Sequence, residues 1–149
     1  MNLLVSACLL GVCCRYCGDS KPCAPVIALR EKYGLIPVCP EQLGGLPTPR
    51  PPVELRRGRA VSREGADCTA QFERGAREAL RIAKLFSCRT AVLKSRSPSC
   101  GLGRIYDGTF SGTLAEGDGV AARLLRRSGL TVLNEEDAAA ALADGNRDV

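Results

Sequence analysis

At 149 residues, with 45% hydrophobic and 25% charged side chains, the chain has the composition of a folded globular protein, which excludes a disordered or fibrous class. A net charge of +5 admits a small anionic ligand but is too weak and dispersed to mark a face for duplex nucleic acid. Nine cysteines and no histidine exclude the Cys–His catalytic pair and every histidine-bearing metal site, leaving thiolates, carboxylates, hydroxyls, Lys, Arg and backbone for any chemistry.

The chain opens on an apolar run at residues 3–6 that reads as a buried strand. Val5-Ser6-Ala7-Cys8 resembles a lipoprotein cleavage site, but no Lys or Arg precedes it and the apolar run is too short for a signal-peptide core. No stretch approaches the about 20 apolar residues of a membrane span, so the chain reads as cytoplasmic, its thiols free, metal-bound or reactive. Cys13, Cys14, Cys17 and Cys23 crowd the next segment. Cys14-x-x-Cys17 invites zinc, yet a zinc ribbon needs a second such pair and none exists; a four-cysteine knot from this segment alone stays open. A thioredoxin-like pair is a poorer match, because the motif leads into a GDSKP turn and not into a helix.

A short helix over residues 25–32 precedes a second strand at 35–38. Cys39 then opens CPEQLGGLPTPRPPVELRRG (residues 39–58), whose five prolines argue against a central strand or a helix. The strongest helix spans 69–86, with Phe72, Ala76, Leu80, Ala83 and Leu85 along one side and a cap at Asp67 or Thr69. Cys68 stands at its start without an evident partner, and Cys88 at its end reads as a small buried hydrophobe. A third strand at 91–94 runs into KSRSPSCGLG (residues 94–103), where hydroxyls, glycines and cations surround Cys100. Those are neighbours for a ligating or reactive thiol, not for a core cysteine. Asp107-Gly108 within GRIYDGTFSG (103–112) signals a hairpin. Helices over 119–127 and 135–143 flank a fourth strand at 130–133.

Strands alternating with helices predict an α/β, Rossmann-like single domain over 1–149, with a parallel sheet of about four strands and helices on both faces. Ligands of such sheets bind beyond the carboxyl ends of the strands, near a topological switch point. Cys8, Cys39 and Cys100 each follow a strand and therefore fall along one edge. Three convergent soft ligands without histidine suit an iron–sulfur cluster better than catalytic zinc, and a cluster held by three cysteines keeps one iron open as a Lewis acid.

The segments SACLLGVCCRY (6–16), PVCPEQLGGLPTPRPP (37–52), KSRSPSCGLGRIYDGTFSG (94–112) and EGDGVAARLL (116–125) resemble, in the same order, the bacterial thiouracil desulfidase family. The resemblance implies a [4Fe-4S] cluster held by Cys8, Cys39 and Cys100, and removal of sulfur from a thiolated pyrimidine without net redox change. In that scheme the substrate sulfur binds the open iron, water attacks the carbon and hydrosulfide leaves. It further implies Glu41 as the group that activates water or shuttles protons, Ser97 as its catalytic companion and Ser99 as an orienting contact for the substrate. Arg50, Lys94 and Arg96 are expected to bind a phosphate or to balance charge beside an anionic cluster. One departure stands out: Cys17 occupies a position where an Asp is expected in the family, which makes it a competing ligand.

The expected partner is a small thiopyrimidine (thiouracil, thiouridine or its monophosphate), with no duplex nucleic acid, no membrane, and a monomeric or homodimeric state. The alternatives are a non-catalytic iron–sulfur or zinc-binding redox or sensor protein, and an RNA-binding module acting on thiolated tRNA. Glu41 and the hydroxyl-rich loop favour the enzyme, because a carrier needs neither beside its cluster.

Overall fold

Residues 1–143 are described by a computed structural model of the protein. Strand β1 (Asn2–Ser6) runs into a 3-10 turn at Ala7–Leu10, and helix α1 (Ala24–Ile27) continues as a second 3-10 turn, Ala28–Glu31. Next come β2 (Gly34–Val38), α2 (Pro40–Leu43) and a hairpin of β3 (Val53–Arg56) and β4 (Arg59–Ser62). Helix α3 (Thr69–Leu85) leads to β5 (Thr90–Leu93), followed by a second hairpin of β6 (Arg104–Tyr106) and β7 (Leu114–Glu116). Helix α4 (Val120–Arg127), β8 (Thr131–Asn134) and α5 (Glu135–Ala141) complete the order.

Strands β1, β2, β5 and β8 form one parallel sheet in the order β2-β1-β5-β8. Successive side chains of a strand face opposite sides, and both sides here are covered. Leu3 and Val5 of β1 pack with Leu9, Val26, Leu29 and Leu142. Leu4 packs on the other face with Ala79, Ala83 and Leu125 of α3 and α4, in a cluster that also buries Cys88, the apolar role expected of that thiol. Leu85 departs from the expected apolar side: it is 76% exposed, while Ala83 in the same last turn of α3 is fully buried. Among the described residues no helix is long and apolar enough to cross a membrane.

The proline-rich segment corrects one expectation. It does contain a helix, α2, because Pro40 occupies the first turn, where a missing N–H is harmless and a fixed φ is helpful. It also supplies β3, but on a separate two-stranded hairpin, so the rule against proline in a central strand holds. That hairpin turns at Arg57-Gly58, both with positive φ (51° and 79°), a pairing the sequence did not advertise with Asn or Asp. The second hairpin does form, but Arg104 pairs with Glu116, so Asp107-Gly108 begins a longer loop (residues 107–113) and is not a two-residue turn.

α2 abuts α3 through two glycines. A Cβ on Gly75 would overlap the carbonyl oxygen of Pro40, and one on Gly44 would overlap that of Gln71. Gly→Ala inside a helix ordinarily stabilises. Here the sign reverses: Gly75→Ala should lower the melting temperature by roughly 3–10 °C, since overpacking costs about 1–3 kcal/mol. Thermal unfolding checks this, and a variant as stable as the parent would show that the contact does not hold α2 in place.

Candidate active site

β1 lies between β2 and β5, so the chain leaves β1 for one side of the sheet and returns on the other, opening a crevice at their carboxyl ends. The Ser6 hydroxyl accepts the Lys94 N–H at 2.9 Å and joins the ends of β1 and β5. Cys8 sits in the 3-10 turn after β1, Cys39 is the N-cap of α2 after β2, and Cys100 lies in the loop after β5. That loop is tight: a Cβ on Gly101 would come within 2.6 Å of the Ser97 carbonyl oxygen, which explains why glycine follows the cysteine. All nine residues expected at the site (Cys8, Cys39 and Cys100, then Glu41, Ser97, Ser99, Arg50, Lys94 and Arg96) line one cavity of about 510 Å³.

A fourth thiol joins them. Cys14 is buried and lines the same cavity, with Cys8 on one side and Cys39 on the other, and the Cys39 thiol reaches the Cys14 carbonyl at 3.7 Å. In the sequence Cys14 is indistinguishable from its neighbours; only burial separates them. Cys13 and Cys17 are exposed, and the Cys17 thiol donates to Asp19 at 2.8 Å. The CxxC pair therefore diverges, and among the described residues no three Cys, Asp or Glu side chains are grouped to hold a single metal ion. The zinc knot has no assembled site.

The donor set suits a multi-iron cluster, in which each thiolate takes a different iron and the ligands need not meet at one point. Burial pushes the Cys100 thiol up to about 12, against the opposing hydrogen bonds of Ser6 and Ser99. The Cys39 thiol is raised by its hydrogen bond with Cys14 and then by burial. The Cys39 contact alone would lower Cys14, but Cys8 and burial outweigh it and raise Cys14 to about 11. Crowded thiols of this kind ionise when a cation is placed among them, and iron is such a cation.

Beside the thiols runs a chain of polar groups. Arg50 Nε donates to Glu41 Oε1 at 3.0 Å, and Ser99 Oγ donates to Glu41 Oε2 at 2.9 Å. Ser97 Oγ lies 3.0 Å from Ser99 Oγ; with the Ser99 proton on Glu41, Ser97 is the donor between them. Ser97 Oγ in turn accepts the Cys100 N–H at 3.0 Å, which couples the hydroxyl chain to the loop of a thiol.

The three cations differ in what they have left to offer. Arg50 is buried, and three further donors go to the carbonyls of Pro47 and Cys14 and to Thr48 Oγ1. Lys94 pairs with Glu135 at 3.3 Å. Burial works against the Glu135 carboxylate, but Ser95 hydrogen bonds and Lys94 outweigh it and hold it below the usual carboxylate range. Arg96 is exposed and has no ion pair among the described residues.

The hairpins add Glu54, Arg63, Tyr106 and Phe110 to the wall, none of which sequence reasoning had singled out. A larger depression of about 760 Å³ lies against α4 and the hairpins; Arg57, Arg123 and Arg127 line it, but no cysteine does, so it lacks the thiol chemistry.

A sequence model of the family described as 2-thiouracil desulfurase matches residues 3–137. A protein of Bacillus subtilis (strain 168), carrying the description uncharacterized protein YbbK, is 39% identical over 145 residues, which is 91% of this chain and 96% of that protein. A solved structure described as the [4Fe-4S]-dependent thiouracil desulfidase TudS is 46% identical, with a TM-score of 0.89 over 95% of this chain and 96% of the other.

Proposed function

The chain belongs to the 2-thiouracil desulfurase family, and from that premise we propose that it is a [4Fe-4S]-dependent desulfidase that converts a thiolated pyrimidine to its oxo form and releases hydrosulfide. The observation that carries this reading is the single cavity in which Cys8, Cys39 and Cys100 meet the Glu41–Ser99–Ser97 chain. A carrier or sensor would need the thiols alone.

In this reading Cys8, Cys39 and Cys100 hold the cluster. When bound, the cluster supplies an open iron as a Lewis acid for the thiocarbonyl sulfur. Glu41 takes a proton from the attacking water at the carboxylate, which Arg50 fixes through Oε1 and Ser99 through Oε2. Ser97 and Ser99 pass hydrogen bonds from the loop of Cys100 toward Glu41 and orient the substrate ring. Water supplies the new oxygen, the carbon–sulfur bond breaks, sulfur departs as hydrosulfide, and no electron is gained or lost overall. Cys14 lies against Cys8 and Cys39 and is not among the three ligands.

The substrate is a free base, a nucleoside or its monophosphate. Of the three cations expected to meet a phosphate, Arg96 is exposed and without an ion pair among the described residues, whereas Arg50 and Lys94 are engaged with Glu41 and Glu135. Arg96→Ala should therefore raise KM for a thiouridine monophosphate about tenfold, the worth of one charge-assisted contact, and leave the free base unchanged. Equal losses for both would remove the phosphate role. The function itself is tested by sulfide release from a panel of 2- and 4-thiopyrimidines with anaerobically reconstituted protein; no release from any of them would overturn it.

A further inference from the structure

Phe110 is held in a place that packing alone does not require. Its φ of 56° is in the left-handed region that side-chain-bearing residues avoid, and such strain persists only where surrounding contacts enforce it. The contacts are visible. Glu54 Oε1 accepts both the Gly108 N–H and the Phe110 N–H at 3.0 Å, clamping the loop of the second hairpin onto the first. Gly108 itself (φ 92°) has no room for a side chain: a Cβ there would lie 2.7 Å from Arg56 Cβ and 2.9 Å from the Leu55 carbonyl oxygen. Hydroxyls of Thr109, Ser111 and Thr113 link along the loop at 2.6 and 2.8 Å, with Asp107 receiving the Thr109 hydroxyl. The Arg63 guanidinium sits over the Phe110 ring, 5.5 Å from its centroid.

The result of this clamp is an aromatic ring that is neither core nor surface. Phe72 is fully buried and Phe86 is exposed at the end of α3, whereas Phe110 is half-buried and lines the cavity shared by Cys8, Glu41 and Ser99. We propose that Phe110, fixed by Glu54 and Arg63, is the platform on which the planar thiopyrimidine ring stacks. Base–aromatic stacking needs no particular base edge, which leaves the thiocarbonyl and ring nitrogens free for the polar side of the cavity. This substrate-binding role rests on the desulfidase reading and extends it to a residue outside the thiol and carboxylate machinery.

The chain contains no Trp, so Phe110→Trp creates a single reporter at the platform. Titration of the cluster-loaded variant with uracil and with 2-thiouracil should quench its fluorescence saturably, while Phe86→Trp, whose residue does not line the cavity, should stay flat. Phe110→Leu should raise KM about tenfold with kcat within about threefold of the parent and with iron content and melting temperature unchanged. An unchanged KM in a folded, iron-loaded Phe110→Leu overturns the proposal, as does a Phe110→Trp enzyme that turns over without any quench at saturating substrate. If Phe110→Leu fails to fold or load iron, the tryptophan titration decides alone. A parent enzyme that releases no sulfide from any thiopyrimidine defeats the functional reading instead, and uracil quenching still reports whether the platform binds a pyrimidine.

Discussion

Cys39→Ala is expected to lose iron and sulfide release together, and Cys8→Ala and Cys100→Ala should behave in the same way. Each removes a soft anionic ligand that iron requires, and the sequence has no histidine to replace it. The informative contrast is Cys14→Ala. Cys14 lies against Cys8 and Cys39 and would look like a fourth ligand to any test of proximity alone. If three cysteines bind the cluster, Cys14→Ala keeps its iron and its absorbance. If iron content falls as far as in Cys39→Ala, the cluster has four protein ligands and no open iron, and the Lewis-acid reading fails. Cys88→Ala completes the series: buried on the α3–α4 side of the sheet, it should cost about 1 kcal/mol of stability and leave iron and activity intact. Iron analysis and sulfide release on the same samples separate these outcomes.

Glu41→Gln should fail differently. The amide keeps the shape, and the cluster's ligands are untouched, so iron content and absorbance persist. Turnover should fall about 10²-fold or more, the usual scale for a positioned acid or base. The substitution also deprives buried Arg50 of its carboxylate, so melting temperature must be measured alongside, because an uncompensated buried charge destabilises by itself. Ser97→Ala should keep iron and lose about tenfold in kcat, since one hydrogen bond contributes about 1–3 kcal/mol where its partner is left unpaired. Glu41→Gln turning over at the parent rate with full iron would remove Glu41 from the mechanism.

Much of this site was legible from local sequence because its chemistry is local. The four apolar runs read as strands because short unbroken apolar runs suit a parallel sheet covered on both faces, and each candidate ligand stood in the segment that follows one of them. The hydroxyl and glycine pattern around Cys100 marked a loop shaped for close approach before any geometry was known. Where local reading erred, the cause was also local. Five prolines in residues 39–58 concealed a four-residue helix because one of them sat at its first turn, and Asp107-Gly108 announced a hairpin while disguising its register.

The sequence by itself determined the four strands of the parallel sheet and the thiol-rich chemistry, since these follow from side-chain type, periodicity and the spacing of neighbours, whereas the roles expected of Glu41, Ser97 and Ser99 came from the family resemblance. Only the tertiary structure decided what those residues touch. The order β2-β1-β5 brings together residues separated by up to 92 positions, Cys8 and Cys100 among them, an event no local pattern encodes. Burial alone distinguishes Cys14 from Cys13 and Cys17, and makes it a cavity thiol while they face solvent. Arg50, expected from the sequence to contact a phosphate, is buried and donates to Glu41 and to the Cys14 carbonyl, as a buried guanidinium must satisfy its donors within the protein.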